Sequence, residues 1–330
     1  MTFLKPDAEQ IKQFLDNLAQ ESWVKRSERH WWPRFLFHYT DVKNAVSILR
    51  DNRLLSRQEA VNHNRLSVSS GSSTILAGTD ADVKAAVRFY FRPQTPTQYH
   101  VEGIRSQKTL AQSKFPDAHC PVPIFFLFDA KELLTQQNCW FSDGNLGSAK
   151  AQKLSTAAEL AALPWQKIYH TGRFDPQREN ITFYRNAEVV VPGSLDLTAL
   201  RYIVCRSEAE KETLLHLLSP PIRQKYQNQI IATSRITLFF KSHTFLQAAR
   251  MSSNSIVLNF SPDTKSPGPF EFSFDLIKRS ETVSLARSGV MANKSIPINL
   301  KQPASVYSVR VQLDGHLVYA NSFREVPIPF

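Results

Sequence analysis

The chain has 330 residues, 42% of them hydrophobic, and a formal net charge of +11. That is enough apolar material for a sizeable core and two domains, and it argues for a soluble globular protein. The basic excess points to an anionic partner, nucleic acid before a membrane surface, while Cys120, Cys139 and Cys205 lie far apart without a CxxC pair, which argues against a structural zinc site and suits a reducing cytoplasm.

Residues 8–29, with Ile11, Phe14, Leu15 and Leu18 on one face, predict an amphipathic helix within an N-terminal segment 1–34. It runs into a basic, aromatic cluster from Lys25-Arg26 to Trp31-Trp32. The first residues lack an apolar run of signal-peptide length and no stretch approaches transmembrane length, so the expectation is a cytoplasmic protein with no membrane partner. Next, Phe35-Leu36-Phe37 reads as a short buried strand, and Val42, Ala45, Val46 and Leu49 recur at helical spacing. His38-Tyr39-Thr40 fills the junction, with Thr40 or Asp41 as N-cap. Unpaired N–H groups at such a junction suit an anionic or dinucleotide ligand. On this stretch alone, however, a hydrogen-bonded core histidine and a simple cap are the better account.

Ser67–Ser73 is so rich in serine that it predicts a mobile loop. Beyond it, apolar strands at 124–128 and 188–191 mix with a helix over 208–218. Together they predict an α+β domain over 35–221 with a twisted antiparallel core. The composition changes after Pro220-Pro221, so 222–234 reads as a linker. From 235 to 330 short apolar runs follow one another at 236–240, 255–260, 270–274 and 307–311, and Asp314-Gly315 marks a hairpin returning through 316–319. A small β-sandwich is expected there, with a binding or regulatory task because it gathers no acids, histidines or cysteines.

Four stretches in order carry more than any one of them. His38-Tyr39-Thr40 with Asn44 and Leu54-Leu55 comes first, then Phe89-Tyr90-Phe91-Arg92-Pro93-Gln94-Thr95-Pro96-Thr97-Gln98-Tyr99. Phe141-Ser142-Asp143-Gly144-Asn145 and Arg185-Asn186-Ala187-Glu188 follow, the last leading into an apolar strand. Together they resemble the DarT family of nucleic-acid ADP-ribosyltransferases, toxins that move ADP-ribose from NAD onto a base of single-stranded DNA. The chain departs from the family where Asn52-Arg53 stands for a Gly-Gly pair and Thr97-Gln98 for Met-Leu, and in its additional C-terminal sandwich. Those departures leave the target base and polymer open.

The resemblance implies an ADP-ribosyltransferase-like core of twisted antiparallel sheets with helices, NAD as co-substrate and no metal. His38, Tyr39 and Thr40 would then bind NAD, Asn44 and Leu55 would line its pocket, and Tyr99 would stack on a flat ring. Glu188 would hydrogen-bond the ribose 2′-OH and stabilise the positive charge that develops as nicotinamide leaves. Arg65, or failing it Arg57, would help take a proton from the acceptor. Residues 165–187 interleave basic and flat side chains, with His170, Arg173, Phe174, Arg178, Tyr184 and Arg185 as candidate nucleic-acid contacts that favour single strands. DNA is preferred and RNA stays open; an antitoxin or chaperone would dock on the C-terminal domain. The rival reading is a catalytically silent protein that only binds single strands.

Overall fold

Phe35–Asp41 forms the first strand, β1, and the Asp41 carboxylate caps the helix Val42–Asp51 by accepting from Lys43 N at 3.0 Å. Thr40 stays in the strand. The helix closes on Asn52 at a φ of 49°, a left-handed turn that asparagine tolerates better than other residues with a side chain. This explains how the chain manages without glycine there. The computed structural model describes residues 3–73, 77–173, 180–232, 237–279 and 281–325.

These fall into two compact units that interleave along the chain. The first comprises Met1–Tyr99, Phe125–Ile203 and Ile236–Leu238. Its further strands are β2 (Arg53–Leu54), β3 (Ala86–Tyr90), β4 (Pro123–Asp129), β5 (Trp140–Ser142), β6 (Lys153–Leu154), β7 (Glu188–Pro192), β8 (Leu195–Asp196) and β9 (Leu200–Cys205). In the main sheet the order runs β9-β4-β1-β3-β7-β5-β6, and β2 pairs separately with β8. The contacts β1 to β3, β3 to β7, β7 to β5 and β5 to β6 are antiparallel, as the alternation of short strands leads one to expect. Phe37, Phe89, Phe125, Phe126, Phe128 and Phe141 are fully buried in this unit.

The N-terminal helix is shorter than its pattern. It spans Ala8–Gln20, buries Ile11, Leu15 and Leu18, and sets Phe14 against Trp165 at 5.8 Å; a separate turn, Ser22–Lys25, follows. The serine-rich stretch is anchored at its start. Asn44 Oδ1 accepts from Ser67 N and Val68 N at 2.8 and 3.1 Å, and Arg57 donates to Ser69 Oγ at 2.9 Å.

The second unit comprises His100–Ile124, Val204–Arg235 and Phe239–Phe330. It contains β10 (Ile230–Ala232) and two antiparallel sheets. One is β11 (Leu246–Met251), β12 (Ser255–Phe260) and β15 (Ser295–Asn299). The other runs β14 (Thr282–Val290), β13 (Phe270–Ile277), β16 (Val306–Leu313), β17 (His316–Arg324). Alternate residues of β12 and β13, from Ile256 to Phe260 and Phe270 to Leu276, face one common core. Asp314 and Gly315 take φ of 48° and 76° in the β16–β17 turn, the pair of positive values that the hairpin signal requires. Ile104 and Ala209 complete the same core, and on the helix Glu208–Leu217 the Thr213 hydroxyl accepts from Ala320 N at 3.2 Å. That is why two earlier segments group with the C-terminal strands.

Residues 237–240 form no strand, although 236–240 read as one. The N–H groups of Phe240 and Lys241 go to the Glu102 carboxylate at 3.1 and 2.8 Å, and the Leu238 carbonyl takes Gln98 Nε2 at 2.9 Å. Side chains thus satisfy the groups that a neighbouring strand would otherwise need.

A histidine cluster is expected to make this unit acid-sensitive. His119 is buried, its Nε2 lies 2.7 Å from the Gly103 carbonyl, and its ring meets His316 edge-on at 4.5 Å. Burial, then the neighbouring His316 and Arg105, pushes the His119 pKa down to about 3, and burial with Arg105, Lys265 and Arg206 pushes His243 down to about 4. Both stay neutral in the fold but take protons when unfolded, so stability is full above about pH 6.5 and falls as the pH drops toward the folded values. The expected melting temperature is about 5 °C lower at about pH 5 than at about pH 7. Thermal melts in a pH series check this, and His119→Gln should flatten the dependence. Among the described residues, no helix is long and apolar enough to cross a membrane.

Candidate active site

Three neighbouring strands, β1, β3 and β7, bring His38, Arg88 and Glu188 into one linked group. Tyr90 stands opposite Glu188 in the ladder and Arg88 opposite Val190, so Arg88, Tyr90 and Glu188 share a face of the sheet. Arg88 donates to Glu188 Oε2 from Nε at 2.6 Å and from Nη2 at 2.5 Å. The Arg88 carbonyl lies 3.0 Å from His38 Nδ1. A carbonyl only accepts, so Nδ1 carries the hydrogen and Nε2 keeps a lone pair. Burial lowers the His38 pKa, which holds the ring neutral.

Glu188 is 1% exposed and sits at the first position of β7. Burial raises its pKa, opposed by the charge and N–H groups of Arg88 and by Leu146 N, which donates to Oε1 at 3.3 Å. The turn beginning at Phe141 supplies that N–H and anchors the strand: Ser142 Oγ accepts from Glu188 N at 3.1 Å and donates to the Gly144 carbonyl at 2.6 Å. Gly144 has no room for a side chain, since a Cβ would lie 2.2 Å from the Phe183 ring. Gly144→Ala is therefore expected to destabilise the protein by about 1–3 kcal/mol as the ring is displaced, which chemical denaturation measures.

Of the two candidate arginines, Arg57 lies in the electrostatic neighbourhood of Arg88; burial and that cation both lower its pKa. Arg65 instead pairs with Asp51 at 2.9 Å. Thr40 is buried, and Tyr39 packs its ring 5.2 Å from Phe125. Asn44 is buried against the serine-rich loop, also giving Nδ2 to the Val68 carbonyl at 2.7 Å; Leu55 is half-buried and Tyr99 exposed. Tyr90 had no assigned role in the sequence reading, yet burial, with Glu188 nearby, raises its hydroxyl to about 12. Arg88 was also missed. Its signal is a basic residue two positions before Tyr90 in an otherwise apolar strand, which only the strand pairing makes meaningful.

The segment before Glu188 divides. Arg173 is exposed, His170 and Tyr184 are half-buried, and Lys167 sits over the Tyr184 ring at 5.0 Å. Arg185 is buried and donates Nη2 to the Gln94 carbonyl at 3.0 Å. Phe174 and Arg178 lie outside the described residues. The start of the segment is held from behind, because Arg92 gives Nη1 to the carbonyls of Ile168 and His170 while Arg29 gives Nη1 to that of Tyr169.

A family model described as DarT, ssDNA thymidine ADP-ribosyltransferase, matches residues 37–234, more than half of the chain. The chain belongs to the DarT family. It is accordingly an NAD-dependent ADP-ribosyltransferase with the mixed core of DarT followed by β-rich antiparallel sheets. Similar solved structures include Thermus sp. 2.9 DarT in complex with ADP-ribosylated ssDNA, at 19% identity and a TM-score of 0.49, covering 63% of this chain and 97% of that one. Thermus sp. 2.9 DarT in complex with NAD+ gives 18% and 0.45, over 61% and 96% of the two chains. Thermosipho africanus DarTG in complex with ADP-ribose gives 17% and 0.44, over 66% and 53%. No curated protein matches the chain.

Proposed function

We propose that this DarT-family protein transfers ADP-ribose from NAD to a thymine base in single-stranded DNA, and that Glu188 is its principal catalytic residue. The observation that carries the assignment is a buried carboxylate at a strand start, paired on one oxygen by Arg88 and retaining acceptor capacity on the other. When nicotinamide leaves with the bonding pair of its ribose C1′–N bond, positive charge develops on the sugar. A fixed anion accepting the ribose 2′-OH stabilises that charge. The acceptor base then forms the new bond to C1′ and loses its proton.

His38 Nε2 and Thr40 are assigned to the NAD end of the site, with Tyr39 and Leu55 around it. Arg57 is assigned to the acceptor side because it lies in the electrostatic neighbourhood of Arg88, where its cation favours the deprotonated form of the acceptor base. Arg173, His170 and Tyr184 are the described residues assigned to the DNA strand, where cations meet phosphates and flat rings meet bases. A toxin role, restrained by an antitoxin or chaperone on the second unit, follows from the family reading. Truncation at residue 235 would strip Ile104 and Ala209 of their core partners, so substitutions on the exposed faces of that unit are the suitable test of docking.

The deciding experiment incubates the full chain and Glu188→Gln with labelled NAD and, separately, single-stranded DNA, duplex DNA, RNA and a protein lysate. Glu188-dependent mass gain of one ADP-ribose on single-stranded DNA is expected. Label on RNA or protein alone would overturn the polymer assignment, and no label with tight strand binding would favour a silent binding protein.

A further inference from the structure

We propose that Arg88 is the positioning residue of Glu188, holding one carboxylate oxygen so that the other faces the ribose. The inference rests on the transferase reading above and extends it to a residue from a different strand. Both Nε and Nη2 of Arg88 reach the same oxygen, Oε2, at 2.6 and 2.5 Å. Two N–H donors use the lone pairs that lie in the carboxylate plane. Oε1, by contrast, takes one long bond from Leu146 N at 3.3 Å and has a lone pair left for a hydroxyl donor. The carboxylate therefore offers one oxygen, in one orientation.

The charge has a separate reason. Glu188 is almost completely buried, and an unpaired carboxylate in such a place takes up a proton rather than remain ionised. A protonated glutamate has no net charge to set against a developing cation. The Arg88 guanidinium, whose side chain is 32% exposed, supplies the opposing charge without being wholly desolvated itself. Its backbone carbonyl also receives His38 Nδ1. One residue thus fixes the acceptor oxygen on one side and the histidine tautomer on the other. The same face holds Tyr90, and Arg57 lies close enough to feel the Arg88 charge, so among the described residues these and His38 are the titratable neighbours of the pair.

The test uses the full chain and its Arg88→Gln, Arg88→Lys and Glu188→Gln variants, with labelled NAD and a single-stranded thymidine-containing oligonucleotide, and follows kcat, KM and their pH dependence. Arg88→Gln is expected to lower kcat about 10- to 100-fold with KM for NAD little changed. Its acid limb should move up by about one pH unit or more, because Glu188 then titrates without its cation. Arg88→Lys should keep the limb near its wild-type place but recover only part of the rate, since an ammonium cannot fill both fork positions. Wild-type kcat in Arg88→Gln, or a lowered kcat with the acid limb unmoved, overturns the proposal. If Arg88→Gln does not fold in thermal melts, Arg88→Lys decides alone, and full wild-type kcat there overturns it. A fully active Glu188→Gln would sink the transferase reading together with this one, whereas an inactive Glu188→Gln beside a wild-type Arg88→Gln removes only the role of Arg88.

Discussion

Glu188→Gln is expected to lower turnover of ADP-ribosyl transfer about 10²- to 10³-fold while KM for NAD stays close to wild type, the pattern of an interaction made mainly in the transition state. Glutamine keeps the shape of the side chain and its hydrogen-bonding reach, so the loss measures the charge. The ground-state nucleotide has a neutral ribose and gains little from an anion; the oxocarbenium-like species gains much. Because the substitution also leaves Arg88 facing an amide instead of a carboxylate, a thermal melt must accompany the kinetics. Arg88 is 32% exposed at its side chain and can turn to water, so the melt should shift far less than the rate. Equal transfer by Glu188→Gln and wild type would remove the glutamate from the mechanism.

The second large effect lies in the other unit and concerns stability. Arg206 is fully buried; its Nε meets both Glu210 oxygens at 3.1 and 3.2 Å, and its Nη2 bonds Glu210 again and the Pro121 carbonyl at 3.0 Å. Glu102 stands 3.9 Å from Nη1, and the guanidinium lies over the Phe245 ring at 4.5 Å. Glu210→Ala removes the nearer carboxylate and leaves the buried Arg206 with the more distant Glu102, and it is expected to destabilise the protein by about 3–5 kcal/mol. Removing both charges together, as Arg206→Met with Glu210→Leu, should cost less than removing Glu210 alone, because the remaining Glu102 carboxylate keeps the N–H donors of Phe240 and Lys241. Urea denaturation of the two variants distinguishes this from simple loss of packing, in which the double variant would be the worse of the two.

Much of the fold was readable in the chain because it depends on short-range patterning. The β1-to-helix junction follows from an apolar triplet, a capping aspartate and apolar residues at helical spacing, and the terminal hairpin follows from Asp314-Gly315 between alternating runs. Residues 237–240 misled because an apolar run does not say who will satisfy its backbone, and here Glu102 and Gln98 do. Nor does the serine-rich stretch announce the partners of its first residues, since Asn44 and Arg57 reach them from elsewhere.

The site shows the same division. The motifs placed Glu188 at the head of a strand, and the turn at Phe141–Asn145 holds it through the Ser142 hydroxyl, which accepts from Glu188 N; His38, expected at a strand end, lies inside β1, which runs on to Asp41. By itself the sequence determined these local elements, the family, and the residue types of its chemistry, because capping, alternation and motif order are written in neighbouring residues. Only the tertiary structure decided which cation meets Glu188, that Arg65 pairs with Asp51, and that Arg185 is buried on a carbonyl. Arg88 is 100 residues from Glu188 in the chain, and their contact exists through the register of β3 against β7. A shift of that register by a single residue would turn Arg88 to the opposite face, and no local pattern at either position specifies it.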